Sequence, residues 1–215
     1  MIELSLNEVE SLAAKVGRGG GFSWGLAEEI GRGARRLAQG GFPWADALLA
    51  LADKAGAMRG PSPAQAEEWR ARRTEMGSTT PLCPVRAAAL LIDDPTILRA
   101  APLHLGNVGL PIWIAGVLAA SGAADGFEIA WPTASAWVSW QRVISKMPSG
   151  AWLAPLANVK ISPGSAGLSG PRPLLRALVA DAVLTALGHF AARVNVPASE
   201  SSRVKGAGGG SVDEE

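Results

Sequence analysis

The chain has 215 residues, 48% of them hydrophobic, which suits one domain with a substantial core. Its 20 basic and 19 acidic residues leave a formal charge of +1, so there is no global bias towards nucleic acid, membrane surfaces or acidic polymers. A single cysteine, Cys83, excludes an internal disulfide and a cysteine zinc cluster, and with only His104 and His189 any metal site would lean on carboxylates.

The opening MIELSLNEVE is acidic and has neither a basic n-region nor an apolar h-region. No signal peptide is expected, and the cytoplasm is the expected compartment. Ser5-Leu6-Asn7-Glu8 spells a capping box. Leu6, Val9, Leu12, Ala13 and Val16 then follow helical spacing until Arg18-Gly19-Gly20-Gly21. Ser23 is placed to cap a second helix. Its faces are small (Ala27, Gly31, Ala34, Ala38) and large (Leu26, Ile30, Leu37). A helical glycine costs about 1 kcal/mol against alanine, so Gly25, Gly31 and Gly33 predict close helix packing or the close approach of a ligand. Pro43 opens a third helix with an apolar stripe through Trp44, Leu48 and Leu51.

Ser62-Pro63-Ala64-Gln65 is a second capping box, predicting a mostly charged helix to about Met76 with Trp69 as its one large apolar residue. Leu82-Cys83-Pro84-Val85-Arg86 leads into an apolar run over residues 87–92, stopped by Asp93-Asp94-Pro95. A short helix is expected over 96–103 and a buried one over 111–120. Residues 126–131, 134–143 and 151–161 are rich in Trp, Val and Ile and read as three antiparallel strands, with Val138 and Arg142 on one side. No internal repeat is read. Residues 171–197 then form the longest helical pattern, with Pro173 at its start. It is apolar almost all round, except for one polar line through Asp181, Thr185, His189 and Arg193. A membrane span is disfavoured, because a central Asp costs about 2.5–3.5 kcal/mol on insertion.

Each candidate for chemistry has a plainer reading beside it. His189 and Cys83 are the candidate catalytic groups. A histidine titrating near pH 6.5 is a general base in principle, yet the polar line also reads as the solvent edge of a buried helix. Cys83 has Arg86 nearby to favour a thiolate, yet it also reads as a small buried hydrophobe. Asp93 and Asp94 read as a cap rather than a cation site, so no metal is assigned. The eight tryptophans are scattered, and core packing accounts for most of them. The Gly/Ser-rich tail offers hydroxyls, glycine amides and Arg203 to an anion, without a Walker pattern.

Three stretches carry a resemblance: LSLNEVESLAAKVGRGGGFSWGLAEEIGRGARRLA at the N-terminus, PLCPVRAAALLIDD in the middle, and RVNVPASESSRVKGAGGGSVDEE at the end. They resemble a bacterial family catalogued only as a domain of unknown function. The resemblance implies no activity, but implies that the tail is a built feature. The family pattern ends closer to Gly-Ala-Gly-Ala-Gly and Asp-Asn-Asp. No role is therefore carried to Asp213, Glu214 or Glu215.

The expected architecture is one α+β domain over residues 1–197, helical through residue 58, with a small antiparallel sheet and a long buried C-terminal helix. A tail at 198–215 follows. The expected function is a bacterial small-molecule-metabolism protein that binds an anionic metabolite near the long helix and tail. Arg193, Ser199, Glu200, Ser201, Arg203 and Arg86 are its candidate ligands. The alternative is a non-catalytic accessory or assembly subunit docking through the tail and the Trp69 helix, with homo-oligomers open to either. Residue types and spacing assign no reaction and no cofactor.

Overall fold

The computed structural model describes residues 1–71, 79–99, 102–122, 126–139, 142–146, 151–164 and 171–194. Among them the chain builds eight α-helices, a five-stranded antiparallel sheet and a separate two-stranded sheet, an α+β fold.

The first three helices follow local sequence closely: α1 (Leu6–Gly19), α2 (Trp24–Gln39) and α3 (Trp44–Lys54). Both halves of the first capping box form, with the Glu8 amide donating to Ser5 Oγ at 3.3 Å and the Ser5 amide donating to Glu8 at 2.7 Å. Ser23 stands at the N-cap of α2, but its side chain makes no capping bond.

The α1–α2 and α2–α3 corners are the same device. At the first, Gly21 has φ +98°, its amide donates to Arg18 O, and the Phe22 amide donates to Gly17 O. At the second, Gly41 has φ +75°, its amide donates to Ala38 O, and the Phe42 amide donates to Leu37 O. Both are Schellman ends, which need a left-handed residue after the cap and an apolar contact beyond it. Gly-Gly-Phe-Ser-Trp at 20–24 and Gly-Gly-Phe-Pro-Trp at 40–44 are therefore one short repeat, which the expectation of no internal repeat overlooks.

After a second formed capping box at Ser62 and Gln65, α4 (Pro63–Arg70) buries Trp69 completely. That ring packs inside the core rather than on an open face. The helix ends at Arg70, with Ala71 as its cap, and the rest of the predicted extension to Met76 lies outside the described residues. Next come α5 (Pro84–Asp93) and α6 (Thr96–Arg99).

The large sheet comprises β2 (Leu103–Gly109), β3 (Phe127–Trp131), β4 (Ala134–Ser139), β5 (Arg142–Ser145) and β6 (Leu156–Pro163), in the order β2-β6-β3-β4-β5. The single strand expected over 134–143 is two strands. Ser139 pairs with Arg142 and Val138 with Val143. Arg142 consequently lies on the opposite face from Val138, reversing the expected side. Strand β2 was not anticipated, because Gly106 and Asn107 interrupt its pattern with a bulge.

Helix α7 (Ile112–Ala120) is buried on every side from Ile112 to Ala119. It lies between α2 and α5 on one side and β4 and β5 on the other. Trp113 Nε1 donates to the α3 carbonyl of Ala47 at 3.0 Å.

The long C-terminal helix is shorter and more exposed than its pattern suggests. Residues 171–175 are irregular, β7 (Arg176–Val179) pairs antiparallel with β1 (Ile2–Ser5), and α8 (Asp181–Ala192) follows. Only Leu187 of α8 is buried. The cause is non-local: Ile2 opposite Val179 and Leu4 opposite Ala177 draw this segment into an extended ladder. Pro173 also disfavours helical backbone at Arg172. Among the described residues no helix is long and apolar enough to cross a membrane.

The glycines of α2 separate by environment. A Cβ on Gly31 would stand 2.8 Å from Glu10 O of α1, and one on Gly33 would stand 3.2–3.3 Å from Gly116 and Val117 of α7. Gly25 has nothing within 4 Å. Gly31→Ala should therefore cost about 1–3 kcal/mol through overpacking, whereas Gly25→Ala should stabilise by up to about 1 kcal/mol. Thermal melts of the two variants should shift in opposite directions, by about 2–4 °C per kcal/mol.

Candidate functional site

A cleft of about 210 Å³ opens where the end of α2, strand β5 and residues 171–174 meet. Three arginines line it, Arg36, Arg142 and Arg172, together with Gln39, Gly40 and Gly41. Val143, Ile144, Pro173 and Leu174 form its apolar wall. Among the described residues no acidic side chain lines it.

Local folding explains how these side chains meet. Arg36 sits in the last turn of α2, half-buried, and its Nη1 donates to Gln39 Oε1 at 3.1 Å. Its Nε is buried without a hydrogen-bond partner. Burial foremost, and then the neighbouring charge of Arg35, pushes the Arg36 guanidinium below its ordinary pKa, with Glu10 acting in the opposite direction. Arg142 opens β5 and donates to Pro171 O at 2.7 Å, tying residues 171–174 across the mouth. The Leu174 amide donates to Gln39 O at 2.9 Å, which closes the strap onto α2.

A helix C-terminus normally repels anions through its free carbonyls. Here all four of the last carbonyls are taken. Arg36 O accepts from Gly40, Leu37 O from Phe42, Ala38 O from Gly41, and Gln39 O from Leu174. The negative end of α2 is thereby quenched beside three guanidinium groups. A Cβ on Gly40 would stand 2.7 Å from both the Phe42 ring and Val143 O, so this corner is packed against β5.

A second cleft, of about 360 Å³, runs along the β2 bulge and β6, lined by His104, Gly106, Asn158, Lys160 and Trp131. His104 faces Lys160 across the ladder. This places His104 on β2, whose other end bridges Leu82 through Val108.

The sequence candidates are dispersed. On α8, Asp181, Thr185, His189 and Arg193 are all exposed, so the polar line is the solvent edge of its helix. Thr185 donates back to Asp181 O at 2.9 Å, and Arg193 lies 4.4 Å over the Phe190 ring. Helix α8 packs on α1 and α3, whereas α5, which bears Cys83 and Arg86, packs on α7 and α2. Neither His189, Arg193, Cys83 nor Arg86 lines either cleft. Asp94 is engaged by Arg70 at 2.7 Å and by the Thr96 hydroxyl. Ser199, Glu200, Ser201 and Arg203 lie outside the described residues.

Sequence reasoning missed Arg36, Arg142 and Arg172. A signal was present in Pro171-Arg172-Pro173, which holds an arginine in extended backbone. No local signal could bring that segment to the end of α2.

Cys83 is buried at the start of α5, and that burial pushes its thiol pKa up despite the Arg86 and Val85 amides and the Arg86 charge. The folded chain holds this proton more tightly than the unfolded chain, whose thiol titrates near about 8.5. The stabilising contribution is therefore complete below that pH and lost as pH rises through the folded value. Native alkylation by iodoacetamide should be slower than in denaturant by on the order of a hundredfold. Stability should fall above about pH 8.5 more steeply in the wild type than in Cys83→Ala.

In comparisons with known proteins, residues 4–68 match a family model described as Protein of unknown function (DUF3726). The match covers α1 to α3 and the start of α4, with both Gly-Gly-Phe corners and Arg36, and leaves out Arg142, Arg172 and the Cys83 segment. No curated protein and no solved structure matches the chain.

Proposed function

We propose that this is a bacterial, cytoplasmic protein of small-molecule metabolism that binds an anionic metabolite in the cleft between α2, β5 and residues 171–174. The observation that carries this reading is Arg36. Its half-buried guanidinium lines a cleft that Arg172 also lines, and no acidic side chain is among the described lining residues. A bound anion accepts charge-assisted hydrogen bonds from the lining arginines and relieves the repulsion between Arg35 and Arg36. In the chain, the strap 171–174 that lines the cleft immediately precedes β7 and α8. Ser199, Glu200, Ser201 and Arg203 are proposed as additional contacts from the tail.

A different feature favours docking as a second reading. Leu175 and Leu178 are 80% and 62% exposed beside the two-stranded sheet, an apolar patch of the kind that marks interfaces. If that patch docks a second copy, light scattering should show a dimer that Leu178→Glu dissociates.

The anion reading is checked by thermal shift with small carboxylates and inorganic phosphate. A ligand at a hundredfold excess over Kd stabilises by about 2.7 kcal/mol, or about 5–10 °C at this size. Arg36→Gln should lose most of that shift, and added salt should diminish it. Equal shifts in wild type and variant would remove Arg36 from the site, and the same comparison with Arg203→Ala decides whether the tail takes part.

A further inference from the structure

We infer that the cleft along the β2 bulge is a second ligand site, which takes a flat organic monocarboxylate. It shares no lining residue with the arginine cleft. It lies on β2, β6 and the end of β3, whereas β5 is at the other edge of the sheet.

Strand register sets the polar side of this site. His104 of β2 stands directly opposite Lys160 of β6, and Ala130 of β3 stands opposite Lys160 on its other flank. Directly opposed residues keep their Cβ atoms about 4.5–5.5 Å apart. Asn158 is two residues along β6 from Lys160, hence on the same face and about 7 Å away. His104, Lys160 and Asn158 are all exposed, and all three line the cleft. Among the described residues neither His104 nor Lys160 is in an ion pair, and no acidic side chain lines the cleft. Glu128, on the same sheet face as Ala130, is held by Lys146 at 2.6 Å.

The bulge orients the amide donor. Asn107 has φ +53°, a left-handed conformation in which asparagine is enriched. Its amide donates to Asn158 Oδ1 at 3.0 Å. That bond fixes which end of the Asn158 side chain is the acceptor and leaves Nδ2, with its two hydrogens, to donate at the cleft. Bulges are over-represented next to active sites, where they re-aim a side chain. The Lys160 ammonium and the Asn158 amide together give each oxygen of a carboxylate a donor. With histidine neutral, Lys160 is the one formal charge among the described lining groups, and it matches one negative charge.

The remaining lining sets the body of the ligand. Gly106 has no side chain and Ala130 only a methyl, so the floor on the ladder is low, and Trp131 and Pro132 bound it with apolar surface. A planar hydrocarbon covers such a floor. The cleft volume of about 360 Å³ falls within the range of small-molecule sites. It is the liquid share of about twelve waters at about 30 Å³ each.

Isothermal titration of the full chain with phenylacetate and its neutral isostere phenylacetamide tests this assignment. Phenylacetate should bind at least about tenfold more tightly, the effect of a charge-assisted hydrogen bond in place of a neutral one. Lys160→Gln should bring phenylacetate to the affinity of phenylacetamide and leave the melting temperature unchanged, because the side chain is exposed. Asn158→Asp keeps the acceptor for the Asn107 amide but replaces the donor with a negative charge. It should weaken phenylacetate at least as far as Lys160→Gln does. Arg36→Gln, in the other cleft, should leave phenylacetate affinity as in the wild type. Equal affinities for the two probes, an unchanged Kd in either β6 variant, or an equal loss in Arg36→Gln would overturn the assignment. So would phenylacetate that gives neither heat nor a thermal shift at millimolar concentration.

Discussion

The crossing of α2 over α7 at Gly33 and Gly116 is the constraint on which the rest of the structure depends. A Cβ on Gly116 would stand 2.9 Å from the Leu37 side chain and 3.0 Å from Gly33 O. The two helices approach nearly backbone to backbone. Helix α7 has no polar face and must be covered all round, so a partner without side chains at the crossing is the one that fits. Its other flank is covered by β4 and β5. Fixing α2 and β5 against the same buried helix brings Arg36 within one cleft of Arg142.

The second Gly-Gly-Phe corner completes that geometry. Gly41 takes the left-handed conformation that ends α2, and Phe42 turns inward to meet the Trp152 ring edge-on at 4.8 Å. The same turn consumes the helix carbonyls that would oppose an anion. Structural capping and site electrostatics are one arrangement here. The first corner is chemically similar but differently used, since Trp24 remains exposed with Arg18 stacked 4.4 Å over it.

Much of the helical half was legible because its determinants are local. The boxes at Ser5 and Ser62, the glycine stops and the apolar stripes of α1 to α3 act within a few residues of each other. The α+β class was legible from the change of period after residue 126. The division into β4 and β5 was not, because β-prone residues stand on both sides of the break, Trp137 and Val138 before it and Val143 and Ile144 after it. Nor was β7: Arg-Ala-Leu-Val runs through Ala180 into Asp-Ala-Val-Leu-Thr-Ala-Leu, and nothing local separates a strand from a helix there. The chosen site residues were those with reactive chemistry, His189 and Cys83. One proves exposed on α8 and the other a buried, protonated thiol.

What the sequence by itself determined is the set of short-range structures: two helices opened by capping boxes, the repeated left-handed corner, a wholly apolar α7 and the exclusion of an internal disulfide. Capping, steric permission at glycine and hydrophobic periodicity are all satisfied within a turn or two of chain. Only the tertiary structure decided that residues 176–179 extend, because their partner strand is at the other end of the molecule. It likewise decided that Arg36, Arg142 and Arg172, more than a hundred residues apart at their extremes, share one cleft. Charge convergence of that kind depends on packing across the core, and no spacing along the chain encodes it.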